Sequence, residues 1–390
     1  MFAPPRTVVY AESIASRHLT HRFRCTVLAN SPAGEDVMML PRLCRSLLFA
    51  GVTIRTVLAQ TACNNSPELC ERSYSNVTYL GAHNSPFVRD GTTRFSTSGN
   101  QFYNTTTQLA AGVRLVSAQV QTRNDTTSEL HVCHTSCSLL DAGTLQSWLA
   151  EIKTWMDANP NDVVTILLVN GASASASAIG SAYTASGMNQ YAYTPTSTSG
   201  WPTLQALINA GTRSMNFVSS LDDNAGATYL MNEFTYIVEN DYDNSSPSDF
   251  SCQVNRPSNL ANQAATAVAD GYMTLVNHFL YADQAFGIQS PNETYAPVTN
   301  SPGSGVGTLG TAASECTALY GRAPNFFLVD FFNVGPAIDA VDTLNGITAT
   351  GRTTVSTALL SETSGSVPVK AMISTVYLGI STALLAWILL

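Results

Sequence analysis

Two histidines each close a short apolar segment of the sequence: His83 follows residues 77–82, and His134 follows residues 130–133. Histidine titrates near neutral pH without help from its surroundings. Cleavage of a phosphodiester needs one group that takes a proton from the attacking hydroxyl and another that gives a proton to the leaving oxygen. We therefore predict that this pair carries acid/base chemistry. His131 is the alternative second histidine, although on a strand it points to the face opposite His134.

The elements that must position this pair are predicted strands. Eight runs rich in apolar and β-branched residues favour strands: residues 77–83, 113–121, 130–134, 163–170, 213–219, 229–238, 272–280 and 325–332. The clearest helix lies between the third and fourth runs, from Leu145 to Met156, and stops at Asn159-Pro160. Strands separated by helices favour an α/β fold, a TIM-like (β/α)8 barrel with catalytic groups at the carboxyl ends of its strands.

The two histidine segments, residues 80–85 (Leu-Gly-Ala-His-Asn-Ser) and 132–137 (Val-Cys-His-Thr-Ser-Cys), resemble the histidine motifs of the phosphatidylinositol-specific phospholipase C X-domain superfamily. The cysteine-flanked second motif is similar to that of the secreted fungal PLC-like phosphodiesterases. The resemblance covers residues 73–335. It implies that His83 is the general base on an inositol hydroxyl and that His134 protonates the leaving oxygen. The implied substrate is a phospholipid or GPI-like phosphodiester.

The resemblance also bears on metal binding. Asn84 stands where calcium-dependent relatives have asparagine, but Ser117, Gln119 and Val169 stand where their pattern places acidic ligands. A hard divalent cation needs anionic oxygens, so we expect no metal and no other cofactor. Bacterial relatives replace the metal with an arginine, and that position is again Gln119.

Other groups must then meet the charge that develops on the phosphate. Arg89 is a candidate, as are Arg94 and Arg123, all in loops after the predicted strands. Arg114, at the start of its strand, is expected to be structural. Asp330 ends the last predicted strand; it is a candidate to orient a histidine and equally a hydrogen-bonded end-of-strand aspartate.

Cysteine usage and sequons indicate an oxidising secretory route. Six cysteines lie in the body of the chain, and the simplest pairing joins Cys63 with Cys70, Cys133 with Cys137, and Cys252 with Cys316. A zinc site is the alternative for Cys133 and Cys137. Six sequons predict glycosylation, at Asn64, Asn76, Asn104, Asn124, Asn244 and Asn292.

The ends of the chain are typical of a surface protein. Residues 1–37 are expected to be an unstructured upstream extension, and residues 38–60 resemble a signal peptide. The barrel is expected at 61–344, followed at 345–366 by a Ser/Thr-rich stalk with the GPI attachment region. The apolar segment 367–390 is interpreted as a GPI signal or, alternatively, a transmembrane helix. The expected location is the outer face of the plasma membrane, with the C-terminal segment as the anchor.

Charge narrows the function further. Residues 61–364 carry 10 basic and 24 acidic residues, a net charge of −14. Binding of nucleic acid through its phosphates is therefore excluded as a function. Two alternatives to a metal-independent phosphodiesterase stay open. One is a catalytically degenerate surface or wall protein that binds an inositol phosphate or a glycan, and the other is a metal-dependent barrel phosphodiesterase.

Overall fold

The computed structural model describes residues 62–123, 129–284 and 289–361. The predicted upstream extension, the signal peptide, the sequon at Asn124 and the apolar segment 367–390 lie outside the described residues. Within the described ranges, the helices are all too short or too polar to cross a membrane.

The central element is a curled sheet of eight parallel strands. In chain order these are β1 (Tyr79–Ala82), β2 (Leu115–Thr122), β5 (Val164–Asn170), β6 (Ser214–Ser219), β7 (Leu230–Asn232), β8 (Ile237–Glu239), β9 (Met273–Asn277) and β12 (Phe326–Val329). Their order in the sheet is β7-β6-β5-β2-β1-β12-β9-β8. In the described part of the chain the edge strands β7 and β8 are not hydrogen-bonded to each other, so the TIM-like barrel is curled but open at one seam.

Alternating side chains along these strands separate two cores, as a period of two requires. One set fills the inside of the barrel and includes Leu115, Leu167, Phe217, Leu275 and Leu328. Their immediate neighbours pack outward against the helices: Val116, Leu168, Val218, Val276 and Val329. A residue that directly follows a strand on the inward register therefore faces the mouth of the barrel.

Nine α-helices are found in the described ranges, and the longer ones among them pack on the outside of the sheet. They are α1 (Thr105–Ala110), α2 (Leu145–Ala158), α3 (Ala176–Ser186), α4 (Leu204–Ala210), α5 (Glu233–Tyr236), α6 (Ala264–Ala269), α7 (Ala296–Thr299), α8 (Leu309–Tyr320) and α9 (Ala337–Asn345). The predicted helix at 145–156 is confirmed as α2. The Thr144 side chain caps it by accepting from the Ser147 backbone N–H, and its apolar face is buried.

Two strand predictions are wrong in detail. The run at 130–134 is not a barrel strand: β3 (Leu130–Cys133) pairs antiparallel with β2 and forms a hairpin with β4 (Asp141–Thr144). The run at 229–238 is not one strand, because a single turn of helix, α5, separates β7 from β8. A further antiparallel pair, β10 (Tyr281–Asp283) and β11 (Gln289–Pro291), lies apart from the main sheet.

The three disulfides of the simplest pairing are all present: Cys63–Cys70, Cys133–Cys137 and Cys252–Cys316. The zinc alternative is therefore wrong, because both sulfurs of the Cys133–Cys137 pair are oxidised. Cys133 also lies near His131 and Asp141 in a possible ligand cluster, but a disulfide sulfur offers that cluster no thiolate.

Two of the predicted glycosylation sites are incompatible with the folded chain. Asn64 is 4% exposed, and its Oδ1 accepts from the Val163 backbone N–H at 2.7 Å. Asn244 is 1% exposed, and its Nδ2 donates to the Asp241 carbonyl at 3.0 Å. A buried amide has no room for a glycan. The other described sequon asparagines are at least partly exposed: Asn76, Asn104 and Asn292.

The segment predicted to be a stalk does not leave the barrel at residue 345, which is still part of α9. Beyond that helix, the Thr350 backbone N–H donates to the Asn65 carbonyl at 2.8 Å, and the Thr353 backbone N–H donates to the Ala110 carbonyl at 2.8 Å. As far as residue 361 the segment contains residues that contact the domain.

Candidate active site

His83 is held at the mouth of the barrel by its neighbouring strand. The parallel register pairs Ala82 with Val329, so the residues that follow, His83 and Asp330, lie side by side. His83 Nδ1 lies 2.9 Å from Asp330 Oδ1, and both side chains are largely buried. A carboxylate accepts, so Nδ1 carries the proton and Nε2 is left as the acceptor. This is the arrangement of a general base.

Three residues that the sequence analysis missed complete the surroundings of His83. The Phe279 ring stacks flat on the imidazole, with 3.9 Å between centroids and 7° between planes. Asn100 Nδ2 donates to Asp330 Oδ1 at 2.9 Å. Gln101 Nε2 donates to the His83 carbonyl at 2.8 Å. Phe279 lies inside the predicted strand 272–280 and Asn100-Gln101 lie in a polar stretch without a pattern, so no sequence signal marked them as site residues.

His134 reaches the same rim by a different route. Because β3 runs antiparallel to β2, its carboxyl end returns toward the mouth of the barrel, and His134 follows directly. Its backbone N–H donates to the Leu140 carbonyl at 2.9 Å. The Phe87 ring meets the imidazole edge-on at 5.4 Å between centroids. The predicted position at a strand end is thus correct, although the strand direction is not.

An amide bridge connects the two histidine loops. Gln119, on β2, accepts at Oε1 from the Thr135 backbone N–H at 2.7 Å and donates from Nε2 to Asn84 Oδ1 at 3.3 Å. Asn84 follows His83, and Thr135 follows His134. The predicted supporting residues Asn84 and Gln119 therefore link the loops.

The environment keeps His134 uncharged at neutral pH. Burial and, to a smaller extent, the nearby His83 lower the pKa of His134 to about 4. The amide bridge between their loops brings the two histidines to one site.

The donor set does not fit a calcium ion. Ser117 Oγ accepts from the Asn84 backbone N–H at 2.9 Å, and Gln119 is engaged in the amide bridge. Val169, at the mouth end of β5, is apolar and 42% exposed. These are neutral oxygens and a methyl surface, whereas calcium requires carboxylates.

Two of the three predicted arginines, Arg89 and Arg123, pair with carboxylates, and the third, Arg94, is exposed. Arg89 Nη2 pairs with Glu293 Oε1 at 3.1 Å, and Arg123 Nη1 lies 3.8 Å from Asp141 Oδ2. Arg114 is structural as predicted: it is buried and pairs with Asp162 at 2.7 Å. Neither Arg89 nor Arg123 is therefore a free cation for a phosphate.

A separate cavity of about 490 Å³ lies outside the barrel, lined by residues of α8, the Phe250 loop and His278. His278 is buried, stacks on Phe250 at 4.1 Å and hydrogen-bonds the Thr299 carbonyl at 3.0 Å. Burial lowers its pKa to about 4. His278 and Phe279 are consecutive, so the cavity and His83 contact neighbouring residues of one segment.

The fold and the paired histidines together define a TIM-like α/β barrel with its titratable groups on the carboxyl rim. The model of the PI-PLC X 1 family matches residues 69–345. The chain belongs to this family, and the family and the fold support a phosphodiesterase-type function.

Two curated relatives come from Arthroderma benhamiae. A PI-PLC X domain-containing protein 1 is 37% identical over 289 residues, which cover 73% of this chain and 90% of the relative. An uncharacterized secreted protein is 37% identical over 303 residues. These cover 74% of this chain but 65% of that relative, so the match spans just under two thirds of its length.

Solved structures with a similar fold are bacterial. The phosphatidylinositol-specific phospholipase C of Listeria monocytogenes aligns at 16% identity with a TM-score of 0.47, covering 70% of this chain and 95% of the other. A Staphylococcus aureus phosphatidylinositol-specific phospholipase C aligns at 14% identity with a TM-score of 0.47, covering 72% and 95%.

Proposed function

We propose that this protein is a phosphoric diester hydrolase of the phospholipase C type that cleaves an inositol-phospholipid-like diester with two histidines and no metal. The observation that supports this most directly is the Asp330–His83 pair, with His134 close enough for the charge of His83 to lower its pKa. The Asp330 carboxylate binds Nδ1 of His83 and leaves Nε2 free to accept a proton. His134 lies on the same rim of the barrel.

In the proposed reaction, His83 Nε2 takes the proton of a hydroxyl next to the phosphate, and that oxygen bonds to phosphorus. The bond from phosphorus to the leaving alcohol breaks, and the imidazolium of His134 gives its proton to the leaving oxygen. The products are a cyclic phosphate and the free alcohol, which is diacylglycerol when the substrate is phosphatidylinositol. Each proton transfer is expected to contribute roughly 10²- to 10⁴-fold to the rate.

The proposed acid must be protonated when the substrate is bound. His134 is neutral in the free protein near pH 7, since its pKa is about 4. A bound phosphodiester brings a negative charge beside the His134 ring, and a nearby opposite charge favours the imidazolium. Substrate binding is therefore expected to be accompanied by proton uptake at His134.

The second candidate is a surface protein that binds an inositol phosphate or glycan without cleaving it. The neutral Gln119, which is hydrogen-bonded to Thr135 and Asn84, favours the binding protein. It stands at the position where the related enzymes have a metal ligand or an arginine. Secretion, the signal peptide and a C-terminal anchor are part of the proposal, and the relative named as a secreted protein supports the first of these.

The test is turnover of phosphatidylinositol and GPI substrates by the purified full chain, with and without EDTA. His83→Gln and His134→Gln are each expected to lower kcat by roughly 10²- to 10⁴-fold. His131→Gln is the matched control, since His131 lies on the same hairpin but pairs with Asp141 at 3.1 Å.

Turnover that resists EDTA and is lost in both site variants would support the hydrolase. Turnover abolished by EDTA would favour the metal-dependent class. No turnover by a folded protein that still binds inositol phosphate would support the binding protein.

A further inference from the structure

His134 lies inside a small covalent ring. The Cys133–Cys137 disulfide joins residues four apart in sequence, with their Cα atoms 4.8 Å apart, and His134 is the first residue it encloses. Cys133 is fully buried as the last residue of β3. Thr135 turns the chain with a left-handed φ of 58°. The ring therefore attaches the backbone of His134 to a buried strand end.

Side-chain contacts hold the His134 ring much less firmly than the His83 ring. Within the described ranges, no ion pair with a carboxylate is found at His134, whereas His83 pairs with Asp330. The contacts of the His134 ring are the Phe87 edge and Thr135 Oγ1, which lies 3.3 Å from Nδ1. A catalytic ring needs a fixed direction, because a misplacement of about 1 Å costs roughly 10²-fold in rate.

We infer that the Cys133–Cys137 disulfide is a positioning device that aims His134 into the site, in place of the carboxylate that aims His83. Cys133 and Cys137 are thus positioning residues for the proposed acid, and the inference rests on the proposed function. Without the disulfide, the loop would keep the backbone hydrogen bonds of His134 to Leu140 and of Thr135 to Gln119 but would lose its covalent closure. The ring would then sample outward directions.

The experiment compares two double variants of the full chain, Cys133→Ser/Cys137→Ser and Cys63→Ser/Cys70→Ser. The control pair also forms a short-range disulfide, with a separation of seven residues and Cα atoms 5.1 Å apart, but its loop lies at the amino end of the barrel strands. Measurements are kcat and KM on phosphatidylinositol, the unfolding temperature, and NMR titration of labelled histidines, with His134→Gln used to assign the signal.

For Cys133→Ser/Cys137→Ser we expect kcat to fall by roughly ten- to a hundredfold with little change in KM. The control is expected to keep kcat. The pKa of His134 is expected to rise from about 4 toward its ordinary value in the first variant only, because a freed ring regains water and moves away from His83.

Equal kcat losses in the two double variants would overturn the inference, since a general loss of stability would then explain both. The titration separates this inference from the proposed function. If the unmodified protein turns over no diester, an unchanged His134 titration in Cys133→Ser/Cys137→Ser overturns the positioning role, and a raised pKa confined to that variant supports it.

Discussion

The two histidine loops hold similar rings by different means. His83 follows a barrel strand and is fixed by side chains: Asp330 on the neighbouring strand, the flat face of Phe279, and the Gln101 amide on its backbone. His134 follows a strand outside the barrel and is fixed through its backbone, by the Leu140 carbonyl and the disulfide ring.

This difference supports the proton-transfer roles that we propose. A carboxylate on Nδ1 prepares His83 to accept a proton at Nε2. His134 has no such ion pair within the described ranges, and burial together with the nearby His83 lowers its pKa to about 4. An anionic ligand is therefore needed to favour its protonated form. A ring with a carboxylate partner and a ring without one are suited to opposite roles in acid/base catalysis.

Removing the charge of Asp330 is expected to have the largest effect on the difference between the two histidines. In Asp330→Asn the amide can donate to Nδ1, which moves the His83 proton to Nε2 and removes the base. We expect kcat to fall by roughly 10²- to 10⁴-fold. Steady-state kinetics checks this, with Asp339→Asn on the exposed face of α9 as control. A kcat within about twofold of the parent would mean that the carboxylate does not set the tautomer.

Removing the amide bridge should have a smaller effect. Gln119→Ala leaves the Thr135 N–H and Asn84 Oδ1 without their shared partner. We expect kcat to fall roughly tenfold and the free energy of unfolding to fall by about 1–2 kcal/mol. Kinetics and urea unfolding measure both quantities, and Gln121→Ala on the same strand is the control. Lost stability with unchanged kcat would show that the bridge holds the loops without orienting the reaction.

The smallest expected effect comes from adding a carboxylate at the amide bridge. Asn84→Asp keeps an acceptor for Gln119 Nε2 and adds a negative charge near both rings. We expect the pKa of His134 to rise above its present value of about 4, because a negative charge favours the imidazolium. NMR titration measures this, and Asn262→Asp is a control with the same left-handed backbone, at φ 60° against 50°. An unchanged His134 titration would show that Asn84 is too far away to act on it.

Several parts of this structure could be predicted from the sequence. The α2 helix and most of the strands follow from local periodicity. Two disulfide pairs follow from short spacing between cysteines, and the third, Cys252–Cys316, joins the two cysteines that remain. The rim position of His83 follows as well, because the carboxyl ends of parallel strands meet at one edge. The direction of β3 could not be predicted, since alternation looks the same in a parallel and an antiparallel strand.

The sequence by itself determined which residue types are available: two motif histidines, a neutral glutamine where a charge is expected, and cysteines around His134. Tertiary structure alone decided which groups meet. Asp330 lies 247 residues from His83, Phe279 comes from the segment that follows β9, and Asn100 comes from a loop without a recognisable pattern. Their contacts depend on strand register and side-chain packing, which are non-local. The same long-range geometry buries His134 and places it near His83. Both effects lower the pKa of His134, a property that no local segment encodes.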